Sequence, residues 1–268
     1  MSKIDHLYAT ADNFTPLFHD PAWHTLFRQD LLPLQNNLLK ELEMIAFLGS
    51  VFEVMHQNNR ILEVRFAEYP SSVPLYTDIR FVTQHISKPD SPTRTRPSLS
   101  QMLETMLSVQ GAPYLWGGNC HGVDKMLTMY PPISPIESLD PVHQHTRSLQ
   151  GFDCSGLLYF ASQGTTPRNT SSLVDFGHPV PIQNKAYHAW DLLPGDLIVW
   201  KGHVLIVIDA QHVIESLGGV GVVLSPLKTR IEKIHKELHR HPVDDWSVET
   251  TIPETQRYVI RRWAIDQP

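Results

Sequence analysis

Cysteine is scarce: Cys120 and Cys154 are the only two in 268 residues. A disulfide framework is therefore excluded, and in a reducing compartment two free thiols are the default. Long apolar runs are also missing. No window approaches the roughly 18 apolar residues of a membrane helix, so no membrane span is expected. Nor is there a basic block. Lys and Arg number 22 against 28 Asp and Glu, a net charge of −6, so nucleic acid is not an expected partner. The opening stretch, MSKIDHLYATADNFTPLF, has acids and polar residues where a leader peptide needs an apolar core. The expected location is the cytoplasm.

What is present supports a folded chain. A hydrophobic fraction of 41% can build a core, 19% charged residues argue against disorder, and the length suits one large domain or two modest ones. The clearest seam is SKPDSPTRTRPS at 87–98, with three prolines and no apolar period, which reads as a linker. Upstream, candidate strands recur at Met44–Leu48, Val51–Met55, Ile61–Phe66 and Ile79–Thr83, with turn signals such as His56-Gln57-Asn58-Asn59 between them. They suggest a small all-β barrel within residues 1–86, behind an extension at 1–40 that carries no clear signal.

Downstream, residues 99–268 form the second expected domain. Ser98 can cap a helix over Gln101–Val109, with Met102, Met106 and Val109 on one face. Residues 119–150, with Pro131, Pro132, Pro135 and Pro141, read as a long irregular insertion. The apolar stretch Ser155–Ser162 predicts a buried helix with Cys154 in its first turn. DLIVW (196–200), HVLIVIDA (203–210), HVIES (212–216) and GVGVVLS (219–225) predict an antiparallel meander. The fold class expected is α+β.

A thiol at a helix amino terminus meets the positive end of the macrodipole, which favours the thiolate nucleophile. The free N–H groups of that turn can hold an oxyanion. Gly151 and Gly156 offer a sharp turn and close substrate approach. The alternative is an inert buried cysteine, which is also the reading for Cys120. A nucleophilic cysteine needs a base, and strand alternation aims His203 at the sheet face that the helix covers. Glu215 lies twelve residues on, in the next strand. A carboxylate between Ile214 and Ser216 is costly to bury unless it has a cationic or N–H partner, and His203 is a candidate. The competing reading leaves Glu215 on a solvent-facing edge.

Together, PYLWGGN at 113–119, DCSGLL at 153–158, PGDLIVW at 194–200 and GHVLIVID at 202–209 resemble the NlpC/P60 family of papain-like cell-wall cysteine peptidases. The resemblance covers about residues 99–225. It implies a nucleophile at Cys154, a base at His203 and an orienting residue at Glu215, where a histidine is commoner. SLGGVGVVLS at 216–225 is similar to the branch of bacterial γ-D-glutamyl-L-diamino acid endopeptidases. KELEMIAFLGS at 40–50 is similar to the start of the SH3-like domain that precedes their catalytic domain. That branch implies cleavage between D-Glu and meso-diaminopimelate in murein peptides with a free amino-terminal L-Ala. It also implies substrate contacts from Tyr114, Asp153, Ser155 and Thr170, with Glu41 as an acid from the first domain; Trp116 is a further candidate contact, and Tyr76 a candidate hydroxyl from the first domain.

Each of these has a plainer reading: core aromatics for Tyr114 and Trp116, a helix cap for Asp153. No metal or organic cofactor is implied; His143-x-His145 and His239-x-His241 lack a converging third ligand. The rival functions are an acyltransferase or amidase on the same scaffold, and a catalytically inactive murein-binding module. The oligomeric state carries no signal. The insertion at 119–150, Glu215 and the stretch 226–268 depart from the family pattern.

Overall fold

The computed structural model describes residues 7–182, 185 and 190–263. Residues 1–6, which open the stretch read for a leader peptide, and 264–268 lie outside it. The architecture is α+β. The chain divides into two compact units, Met1–Arg94 with Pro113–Asp153, and Thr95–Ala112 with Cys154–Pro268. These do not follow the boundaries 1–86, 87–98 and 99–268.

The first unit is built on strands β1 (Leu7–Ala11), β2 (Thr15–Phe18), β3 (Leu42–Ala46), β4 (Val51–Asn58), β5 (Ile61–Phe66), β6 (Leu75–Asp78) and β7 (Val82–His85). They form one antiparallel sheet in the order β3-β2-β6-β5-β4-β1-β7. β5 has the bounds that its alternation predicts. Ile79–Thr83 is not a single strand: Asp78 accepts the Arg80 N–H, a 3-10 turn covers Ile79–Phe81, and extension resumes at Val82. A carboxylate bonding the nearby backbone competes with the ladder there. β2 escapes sequence reading because Pro16 argues against a strand, yet all four of its residues are buried.

The insertion is not irregular throughout, and it packs with the first sheet. It contributes β8 (Asn119–Cys120), α2 (Asp124–Met129) and α3 (Pro141–Arg147), and β9 (Gly151–Phe152) pairs with β8. Arg147 is 1% exposed and donates to the carbonyls of Gln29, Phe27 and Tyr130 at 2.6, 3.0 and 3.1 Å. The Asp30 carboxylate accepts from the N–H groups of Ile133 and Ser134 at 2.6 and 3.1 Å, and Tyr130 donates to Asp78 at 2.6 Å. The buried Asn119 amide accepts from Ile45 N–H at 3.0 Å and donates to Ile45 C=O at 2.8 Å, bracketing β3 as a neighbouring strand would. Close approach explains the glycines around it. A Cβ at Gly118 would lie 2.6 Å from Gly151 O, and one at Gly151 would lie 2.5 Å from Pro113 O. The expected linker is anchored too. Arg94 donates to Ser50 and Glu68, and Arg96 donates to Trp263 O.

The second unit holds α1 (Leu99–Ser108), α4 (Cys154–Ala161), α5 (Thr170–Leu173), β10 (His178–Pro179), β11 (Leu197–Trp200), β12 (His203–Val207), β13 (His212–Leu217), β14 (Gly221–Pro226), α6 (Leu227–Lys236), β15 (His241–Pro242) and β16 (Arg257–Arg262). Ser98 caps α1 in a reciprocal box with Gln101, and Met102 and Met106 are buried. The main sheet runs β10-β16-β11-β12-β13-β14, antiparallel, with β15 parallel to β16. The predicted meander is β11 to β14. The unplaced stretch 226–268 supplies α6 and an inner strand, β16. α4 packs on α1, β12 and β13, and seven of its eight residues are buried. A helix apolar around its whole circumference belongs in a core.

Candidate active site

Cys154 is the first residue of α4 and is 7% exposed. The N–H groups of a first helical turn have no intrahelical acceptor, so this start can stabilise negative charge on the sulfur or on an adjacent oxyanion. The sulfur lies 4.0 Å from the carbonyl of Gly202, the residue before His203. Gly156 keeps ordinary helical backbone inside α4, so the turn reading does not apply to it.

His203 opens β12, opposite Trp200 in the β11–β12 hairpin. β12 and β13 pair Ile206 with Ile214 and Val207 with Val213. Extending that register sets Glu215 opposite Leu205, on the same face as His203. Alternation therefore brings the two side chains together diagonally. His203 Nε2 meets Glu215 Oε2 at 2.7 Å, and the Cys154 side chain also acts on the ring, favouring its charged form. Glu215 is fully buried, so the edge reading is excluded.

Arg230 is the residue that sequence reasoning missed. It projects from α6, and its guanidinium grips Glu215 with two prongs, Nε to Oε1 and Nη2 to Oε2 at 2.8 Å. The only sequence signal was indirect, the requirement that a buried Glu215 find a cationic or N–H partner. α6 buries Leu227, Arg230, Ile231 and Ile234 on one stripe, so Arg230 occupies an apolar-face position of an otherwise ordinary amphipathic helix.

The electrostatics follow from this packing. Burial, the largest influence on His203, opposes its charge. Hydrogen bonds with Cys154 and Glu215 and their negative charges outweigh it and push the pKa up to about 9. Burial likewise opposes the Glu215 carboxylate, but the Arg230 and His203 hydrogen bonds and charges hold it below the ordinary carboxylate value. The arrangement keeps an imidazolium and a carboxylate charged beside the Cys154 side chain.

The remaining predicted residues divide between the units. In the second, Ser155 Oγ accepts from the buried Arg168 at 3.0 Å. Thr170 Oγ1 accepts the N–H of Gly202 at 2.8 Å, which braces the residue before His203. In the first, Asp153 N–H donates to Gly118 O at 3.0 Å, and Tyr114 forms a backbone bridge with Phe152. Trp116 is 38% exposed rather than core, with Lys40 Nζ 3.5 Å from its ring centroid. Glu41 Oε2 is buried with no hydrogen-bond partner among the described residues. Tyr76 lines a cavity of about 460 Å³ with Arg28, Arg60, Glu63 and Tyr130, and Glu41 does not line it. Cys120 is fully buried. Among the described residues, no group of three or more His, Cys, Asp or Glu could hold a metal ion. His143 is taken up by Asp140 at 2.7 Å.

The model of the NlpC/P60 family matches residues 111–241, just under half of the chain. That segment is an NlpC/P60 domain. The matched span of the NlpC/P60 domain includes Cys154, His203, Glu215 and Arg230, and it ends before β16. Among solved structures, the chain is similar to an NlpC/P60 family protein from Bacillus cereus at 17% identity and a TM-score of 0.37. The match covers 98% of this chain and 65% of that one. It is also similar to NlpC1 from Trichomonas vaginalis, at 12% identity, 96% and 69% coverage and a TM-score of 0.34. A third is RipD from Mycobacterium tuberculosis, described as a non-catalytic NlpC/P60 domain protein adapted to peptidoglycan binding. That match has 21% identity, 50% and 90% coverage and a TM-score of 0.32. This chain thus spans under two thirds of the Bacillus cereus protein. No curated protein sequence matches the chain.

Proposed function

We propose that this protein is a cysteine endopeptidase that cleaves the γ-D-Glu–meso-diaminopimelate bond of peptidoglycan-derived peptides with a free amino-terminal L-Ala. One observation carries the catalytic part: a fully buried carboxylate holds His203 at 2.7 Å, and Cys154, at the start of a buried helix, lies against the carbonyl of the preceding Gly202 and favours the charged ring. The NlpC/P60 domain points to peptidoglycan as the substrate class. The likeness of 216–225 and 40–50 to one branch supports the bond and the free amine.

The Cys154 sulfur attacks the γ-carbonyl carbon of D-Glu, and the oxygen takes up the negative charge beside the helix-start N–H groups. The C–N bond then breaks, and His203 passes its proton to the departing diaminopimelate amine. Water attacks the resulting thioester, with neutral His203 as base, and the sulfur leaves. Glu215 stabilises the imidazolium without taking its proton. The L-Ala ammonium needs a carboxylate, because an unpaired charge is costly to enclose. Asp153, next to the nucleophile in the chain, is assigned that role, with Glu41 as a second acid. The setting proposed is recycling of turnover peptides in the cytoplasm, which cell fractionation checks.

Mass spectrometry of L-Ala-γ-D-Glu-meso-diaminopimelate incubated with the protein tests the reading. Expected products are L-Ala-D-Glu and free diaminopimelate, absent with Cys154→Ala. Amino-terminal acetylation should suppress cleavage, and Glu41→Gln or Asp153→Asn should weaken the preference for the free amine. Binding without turnover would turn the reading to a murein-binding module. Acyl transfer to an added amine in place of hydrolysis would turn it to an acyltransferase.

A further inference from the structure

We propose that Arg230 is a positioning residue of this site, a fourth member of the relay that offsets the charge Glu215 brings into it. The inference rests on the catalytic reading above and adds a residue to it. In the attacking state, Cys154 carries −1 and His203 +1, so the two cancel. A buried carboxylate alone would leave the cluster at −1, which favours loss of the thiolate charge or protonation of Glu215. Arg230 returns the sum to zero.

Its geometry is suited to the task. The guanidinium takes both carboxylate oxygens, and Glu215 Oε2 is shared with His203 Nε2. The two-pronged grip sets the plane of the carboxylate and therefore the lone pair that meets the imidazole. The side chains of Glu215 and Arg230 are 0% and 9% exposed, so little water screens either charge. β12 presents His203, β14 presents Val223 opposite Glu215, and α4 presents Cys154 to His203. Breaking a buried pair from one side leaves an uncompensated charge, whereas replacing both partners with neutral groups is much less damaging.

The test is a double-substitution cycle on the full chain, comparing Arg230→Met, Arg230→Lys, Glu215→Gln and Glu215→Gln with Arg230→Met. Three readings are taken: peptide cleavage, iodoacetamide alkylation of Cys154 at pH 7, and the pH midpoint of the His203 ring by NMR. Arg230→Met should slow cleavage about 100-fold or more, as expected when an orienting group is disturbed, and should slow alkylation. It should also raise the His203 midpoint, because the carboxylate no longer divides its charge between two cations. Adding Glu215→Gln should lower the midpoint again and recover at least about tenfold in cleavage over Arg230→Met, the sign of coupled partners. Arg230→Lys, a point charge without the fork, should fall between parent and Arg230→Met.

A role confined to folding predicts otherwise, with an unmoved midpoint in folded Arg230→Met and further loss in the double variant. Either result overturns the proposal. If Arg230→Met does not fold, the double variant and Arg230→Lys carry the comparison. Alkylation and the His203 midpoint need no murein substrate. Failure to cut the peptide with the expected shifts intact would therefore refute the function and leave the Arg230 relay standing.

Discussion

His203 and Glu215, twelve residues apart in adjacent strands, meet through Nε2 and Oε2 at 2.7 Å. The side chain of one is 15% exposed and that of the other is fully buried. Because the same carboxylate also receives Arg230, the pair cannot be perturbed in isolation.

Glu215→Gln keeps the shape of the side chain, removes its charge and leaves Arg230 buried without a carboxylate. Turnover should fall by roughly 10- to 10⁴-fold, the range spanned by loss of charge and by a wrongly held imidazole. Melting temperature should fall as well, since stranding a buried charge costs about 3–5 kcal/mol. Steady-state kinetics and thermal unfolding check both parts. An unchanged melting temperature would mean that Arg230 finds another partner.

The pH dependence of stability follows from His203. Its folded-state pKa of about 9 lies above the ordinary value of 6.5. A raised pKa contributes stability that is complete below the ordinary value and is lost as pH rises through the folded one. Stability should therefore decline between about pH 6.5 and 9, by a few kcal/mol at most. Glu215 has the opposite sign: its depressed pKa contributes above the ordinary carboxylate value and is lost as acid protonates it. Denaturant unfolding from pH 6 to 10 should show the decline in the parent and its loss in His203→Gln.

Asn119→Ala should destabilise the first unit. Removing the amide leaves the N–H and C=O of Ile45 without their partner, at a cost of about 1–3 kcal/mol for each buried group left unsatisfied. Asn119→Asp keeps the acceptor but sets an oxygen against the Ile45 carbonyl, so it should rescue little. Hydrogen exchange at Ile45 and unfolding midpoints report the result.

Much of the site was legible in residue order. Cys154 before an apolar run, His203 at a strand start and Glu215 twelve positions on follow from helix ends and from strand alternation. Both are local rules with fixed periods. Ser98 and Gln101 marked the start of α1 for the same reason. Sequence alone also established that Glu215, if buried, must find a cationic or N–H partner, since the cost of an unpaired charge does not depend on the fold. Only the tertiary structure decided which partner. Arg230 is one of 22 Lys and Arg residues, and nothing local sets it apart, because α6 turns it inward only by packing on β13 and β14. Residues 113–153 group with the first sheet, and β16 stands inside the second, for a similar reason. The bonds that hold residues 113–153, from Asn119 to Ile45 and from Arg147 to Phe27, join residues 74 and 120 positions apart. No periodicity reports a contact of that range, and chain packing alone determines it.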